Sequence, residues 1–191
     1  MQARHLGAAA ALLLAAPLIT LNAQAPATPK DSIQADAKFI RRAVADNQLE
    51  VQLGQLAQNR AADPMVKKFG QRMVMDHQKL VKQWTDLASD HGMPLKPALG
   101  EKQQKKLDRL GKVEGKAFDR EYMITMIKAH SKDAAHLKAE TDEARSEPVR
   151  KMAAYELPIV QDHLLSAQAA AKEVGVDSAM VARSRAVAES E

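Results

Sequence analysis

Four residues in this chain have types and spacing that could do chemistry together: Glu50, His77, His130 and His163. Each sits where helical spacing puts apolar neighbours around it. His77 lies among Gly70, Met73, Val74, Leu80, Val81 and Trp84. His130 lies among Met123, Met126, Ile127, Ala134 and Leu137, and His163 among Ile159, Val160, Ala167 and Ala170. Glu50 lies among Ala43, Leu53, Gly54 and Ala57. Such spacing predicts that all four side chains point inward. Burying ionisable groups is costly unless they are paired or hold a metal. Three imidazoles and a carboxylate form a donor set for Zn(II), Cu(II), Fe(II) or Ni(II). Asp76, Asp133 and Glu156 stand near enough to orient the rings as hydrogen-bond acceptors. Glu156 is two turns from His163 on the same stripe, which places it in a neighbouring layer rather than among the ligands. The alternative is a metal-free, hydrogen-bonded polar layer that fixes the packing. Met73, Met123, Met126 and Met152 suggest Cu(I), but flexible core packing accounts for them. His136 points off the stripe and His91 closes a helix, so both are expected at the surface.

Positioning these residues requires four long helices. The first spans Asp36–Arg60, with Asp36 as its cap. Asp63 and Pro64 end it and begin the second, which runs to His91 before Gly92, Pro94 and Pro97 stop it. Residues 93–115 form a connector with a short helix at Glu101–Leu110. Its lysines are interspersed with Glu101, Asp108 and Glu114, the pattern of a solvated face. The third long helix covers Lys116–Ala144. The fourth covers Glu147–Val174, capped by Ser146, interrupted at Pro158 and ended by Gly175. Helices of this length are about 40 Å long. Glu50 and His77 lie about 18 and 22 Å from the turn near Ala62, and His130 and His163 about 24 and 26 Å from the turn near Ser146. One polar side chain per helix therefore falls in one mid-bundle layer. The expected fold is all-α: a four-helix bundle of two hairpins over residues 36–175, joined by a long connector. That connector allows a crossover, and an up-down-up-down order stays open.

The chain has 191 residues, 46% of them hydrophobic, and no cysteine. Disulfides, thiolate metal sites and cysteine nucleophiles are excluded. Aromatic residues are 3% of the chain, too few for the stacking platforms of a nucleic-acid binder. The net charge of +4 is weak and dispersed, so no polyanion footprint is expected. Residues 1–25 have a basic start at Arg4 and His5, an apolar run to Leu21 and a small-residue end. They read as a secretory signal peptide cut after Ala23 or Ala25. A flexible tether over 26–35 and a loosely docked tail over 176–191 complete the chain. The mature protein is expected in the periplasm or secreted, without a transmembrane span.

Several pieces carry a family resemblance. They are Glu50-Val51-x-Leu53-Gly54-x-Leu56-Ala57, Met73-Val74-x-Asp76-His77, Phe118-Asp119-Arg120-x-Tyr122 with His130, and Leu157-Pro158 with His163. In this order they resemble the bacterial ferritin-like family catalogued as domain of unknown function 4142, often labelled "predicted outer membrane protein". The resemblance implies an exported ferritin-like bundle and no particular activity. No alternating barrel strands support the outer-membrane label. Di-iron bundles carry Glu-x-x-His on two helices. Here Val74 and Val160 stand three residues before His77 and His163, so a di-iron centre of that type is not expected. The leading reading is an exported bundle that binds a transition metal at a Glu/His layer, in binding, sensing or envelope stress. The alternative is a periplasmic structural or protein-interaction module. No Ser/His/Asp set, glycine-rich phosphate loop or paired-carboxylate motif argues for an enzyme, and protein partners are not legible.

Overall fold

The computed structural model describes residues 33–177 together with 179, 181 and 182, and among them every regular element is helical. A helical turn at 33–35 precedes α1 (Ala37–Arg60), α2 (Pro64–Asp90), α3 (Glu101–Leu110), α4 (Gly115–Glu143) and α5 (Glu147–Glu173). The signal peptide and most of the tether lie outside the described residues. The tether's last part does not: Ile33 is fully buried and packs with Ile40 and Trp84 in the core. No described helix is long and apolar enough to cross a membrane.

Local chemistry explains most of the boundaries. The Asp63 carboxylate accepts from Met65 N at 2.7 Å, satisfying an amide that the first turn of α2 leaves without a partner. Pro64 occupies the first position, where its missing N–H costs nothing. At the other end Gly92 takes φ +76, which lets Met93 N reach Ala88 O at 2.8 Å and satisfy a carbonyl of the last turn. Gly175, at φ +79, closes α5 in the same way, with Val176 N on Ala171 O at 2.9 Å. Val176, expected in a loose tail, is thereby buried at the foot of α5. The helix runs through Pro158 without a break.

Two expected caps work differently. Asp36 stands before α1, but its backbone (φ −89, ψ 1) is not the extended conformation that folds a side chain back onto its own helix. Its carboxylate instead accepts from Arg145 N at 3.1 Å and Ser146 N at 2.7 Å, in the turn between α4 and α5. Ser146 therefore receives a cap rather than supplying one, and its buried hydroxyl has no hydrogen-bond partner. The opposite end of the bundle mirrors this. The Asp119 carboxylate, from the second turn of α4, accepts from Ala62 N and Asp63 N, both at 3.0 Å, in the turn between α1 and α2. Positions 36 and 119, and positions 63 and 146, are separated by the same interval. The two hairpins are thus pseudo-equivalent, each turn tied down by a buried carboxylate of the other.

These contacts fix the topology. The start of α1 meets the end of α4 and the start of α4 meets the end of α1, so the two run antiparallel. On the other side, Trp84 pairs with Glu156 and Arg72 with Asp162, so α2 and α5 are antiparallel as well. The connector must then cross the length of the bundle, which rules out the up-down-up-down order. Helix α3 lies in that crossover, against α1 and α4.

The core is split in two. One apolar cluster, with Leu53, Met73, Phe118, Tyr122 and Met126, fills the end near Ala62. The other, with Ile40, Leu80, Trp84, Val149 and Val160, fills the end near Ser146. Each long helix crosses from one cluster to the other through a polar residue: Asn47 and Glu50, His77, His130 and His163, all buried.

Candidate metal centre

The polar stratum between the two clusters is where His77, His130 and His163 meet. Their ring centroids form a nearly equilateral triangle with sides of 5.6, 5.1 and 5.4 Å. One nitrogen from each ring lies within 4.8 Å of the others. The rings are 3%, 0% and 0% exposed, so water does not solvate them.

The remaining nitrogen of each ring is held by an acceptor. His77 Nδ1 is 2.7 Å from Asn47 Oδ1, His130 Nδ1 is 2.9 Å from the Met126 carbonyl, and His163 Nε2 is 3.0 Å from Asp76 Oδ2. The Asn47 amide has only one orientation available, because its Nδ2 donates to Ala43 O and Glu156 Oε1. A carbonyl or carboxylate oxygen can only accept, so the facing nitrogen carries the proton in all three rings. The tautomers follow. His77 Nε2, His130 Nε2 and His163 Nδ1 each hold a lone pair, and each is buried without a hydrogen-bond partner.

Electrostatics keeps the rings neutral. Burial pushes the His77 imidazole well below its ordinary range, reinforced by the two neighbouring rings. Burial, then His163, pushes His130 down to about 3. His163 is also lowered, chiefly by burial, although the Asp76 hydrogen bond opposes the shift. Three neutral imidazoles with converging lone pairs are a ligand set in its metal-competent protonation state.

Glu50 is placed in the same stratum, 2% exposed, with Oε2 unpartnered, but its carboxylate does not join the three nitrogens within 4.8 Å. It faces a cavity of about 20 Å³, room for one water, that is also lined by Asn47, His77, Asp133 and Glu156. Burial pushes the Glu50 carboxyl up to about 8. The three expected acceptors fare differently. Asp76 bonds His163 directly. Glu156 acts one step removed: it accepts from Trp84 Nε1 and from Asn47, which in turn holds His77. Asp133 lines the cavity with Glu50 and is hydrogen-bonded to none of the three rings. His136 is half-buried and paired with Arg42 rather than at the open surface. Asn47 is the residue that spacing alone overlooked. It lies four residues after Ala43 and three before Glu50, on the inward stripe of α1, and that spacing was its signal.

Residues 21–170 match the family described as Domain of unknown function (DUF4142). The chain belongs to that family. No curated protein and no solved structure matches it. The family supplies no activity, so function rests on the chemistry of the histidine stratum.

Proposed function

We propose that this DUF4142 protein is an exported helical bundle that binds one divalent transition metal through His77, His130 and His163. The observation that carries the reading is the set of three buried, partnerless nitrogens, each made a lone-pair donor by an acceptor on the other side of its ring. Packing alone does not call for this. A metal-free core of three acceptors and no donor leaves each nitrogen's desolvation unrepaid, at roughly 1–3 kcal/mol apiece. A cation among them repays all three. Tetrahedral zinc, with Zn–N of about 2.0–2.1 Å, holds its nitrogens about 3.3 Å apart, so the rings, whose nitrogens lie within 4.8 Å of one another, would close in on the ion. The donor set suits Zn(II), Cu(II), Ni(II) or Fe(II). Export rests on the signal-like residues 1–25 and makes the periplasm or the exterior the place of metal capture.

The deciding experiment is metal analysis of the protein purified without a histidine tag, followed by melting with each metal. At 100 times the dissociation constant, a ligand of the folded state stabilises it by about 2.7 kcal/mol. His130→Leu removes that increment. If no metal co-purifies or shifts the melt, the stratum is a packing device and the protein a structural or interaction module. Export is tested separately: the intact mass from the cell envelope should correspond to a chain beginning after Ala23 or Ala25.

A further inference from the structure

Of the three acceptors that hold the rings, two are sealed in and one is not. Asn47 and Met126 are buried. The Asp76 side chain is 26% exposed. It accepts from His163 Nε2 at 3.0 Å and also lines a surface groove of about 350 Å³ between α2 and α5. One hydrogen bond therefore links the groove to a corner of the histidine triangle. The other two corners offer a cation nothing comparable. His77 is backed by buried Asn47, and the surface pocket on that flank carries Lys102 and Lys106. His130 is backed by the backbone of its own helix.

The groove is barred by one side chain. Arg72, on α2, donates to Asp162 and, at 3.2 Å, to Ser166 Oγ, both on α5, and its Nε lies 3.4 Å from Asp76 Oδ2. The guanidinium thus ties the two helices together and engages the same carboxylate that fixes His163. Its side chain is 39% exposed and that of Asp162 57%, so these contacts are screened by water and cost little to break. With Arg72 swung out, Asp76 and Asp162 are left on either side of the groove, their charges free to attract a divalent ion. Lys79, 4.0 Å from Asp76 Oδ1, is 75% exposed and well solvated. Once Asp76 turns to the ion it no longer holds Nε2, and the His163 ring is released. We propose that the metal enters and leaves the stratum through the groove between α2 and α5, captured first by Asp76, with Arg72 as the latch. The inference rests on the metal reading above and adds its regulation: the three nitrogens set the affinity, and Arg72 sets the rate of exchange.

Cu(II) is the probe. Trp84 is the only tryptophan in the chain, and an ion in the stratum should quench it. Uptake by the full mature protein is followed in stopped flow, and release by the return of fluorescence in excess EDTA. Metal analysis after desalting reports binding independently. Arg72→Gln should speed uptake and release alike by about tenfold, the scale of losing two exposed ion pairs, and leave their ratio nearly unchanged. Asp162→Asn cuts the latch from the other helix and should speed release likewise. In wild type, release should approach the Arg72→Gln rate near 1 M salt, where the screening length falls to about 3 Å. Lys102→Glu plus Lys106→Glu should leave release unchanged. Faster release in that variant, with Arg72→Gln like wild type, places the route under α3 and overturns the inference. Faster release from Arg72→Gln with uptake unchanged means that Arg72 only braces the site, and overturns the latch. Bound Cu(II) with rates indifferent to both latch variants overturns the route while the metal reading stands. No bound Cu(II) overturns the metal reading, and this inference with it.

Discussion

His130 shows at the scale of one residue why the stratum is sensitive to acid. In the unfolded chain an imidazole takes up a proton near pH 6.5, whereas in the fold it does so only at about 3. Between those values the unfolded state binds the extra proton, so the stability contribution is full above pH 6.5 and is lost as pH falls. From pH 6.5 to 5 the loss from His130 alone is about 2 kcal/mol. Glu50 has the opposite sign: raised to about 8, it favours the fold most below its ordinary range and less as pH rises through 8. Comparing wild type with His130→Leu cancels the Glu50 contribution. Urea melts at pH 7 and pH 5 should show the variant losing about 2 kcal/mol less than wild type on acidification. Equal acid sensitivity would mean that His130 titrates normally in the fold. Asn47 gives a second test at this scale. Asn47→Ala leaves the three rings in place but frees His77 from the acceptor that sets its tautomer. Metal affinity measured by titration should fall by about 10–100-fold. These residues also mark how far spacing could be read. Helical phase and depth were enough to bring three histidines to one level. They could not tell that Glu50 would face a cavity instead of the nitrogens, because that depends on rotamers and on a void a few ångströms wide.

At the scale of elements, the pairing of α1 with α2 depends on two glycines. A Cβ at Gly54 would stand 2.6 Å from Gly70 O, and one at Gly70 would stand 2.8 Å from Gly54 O and 2.7 Å from the Ala57 Cβ. Backbone oxygens cannot rotate away, so the helices would have to separate. In an exposed helix, replacing Gly by Ala gains about 1 kcal/mol of propensity. Here overpacking costs more, and Gly70→Ala should destabilise by about 2 kcal/mol in a denaturant melt. A neutral or stabilising result would show that the helices do not approach this closely. The turns make a second case. Asp119→Ala strands two amides, Ala62 N and Asp63 N, at an end where Asp119 itself is 1% exposed. A loss of about 2–3 kcal/mol is expected by the same measurement, and Asp119→Asn should recover only part of it. Sequence signals placed Asp63, Gly92 and Gly175 correctly because each acts on its own helix within a few residues. Asp36 was visible as a cap, but the turn it serves lies in the other hairpin, and no local pattern encodes that partner. Asp119 is no more legible, because the turn it serves also lies in the other hairpin.

For the whole molecule, the consequence is that a metal would join two hairpins in a middle now bridged by the hydrogen bonds of His163 with Asp76 and of Asn47 with Glu156. His77 belongs to the first hairpin, and His130 and His163 belong to the second. The ends are fixed by the reciprocal carboxylates of Asp36 and Asp119 and by the two apolar clusters. The middle, without metal, holds three lone pairs that find no donor and a carboxyl beside a cavity. It is the stratum least able to resist opening, since apolar packing is interrupted there on every long helix. Hydrogen exchange reads this directly, because amides report the opening free energy of the segment they belong to. In the metal-free protein the mid-helix amides around His77, His130 and His163 should exchange faster than those beside Leu53 and Tyr122 or beside Ile40 and Trp84. Adding metal to 100 times the dissociation constant should slow them by up to about 100-fold, the ceiling set by linkage. The slowing should appear on α2, α4 and α5 together, since the ion holds all three. Amides in the first turns of those helices should not change, because opening there does not break the site. Protection gained on one hairpin only would mean that the ion does not bridge them, and the triangle of histidines would not be the ligand set.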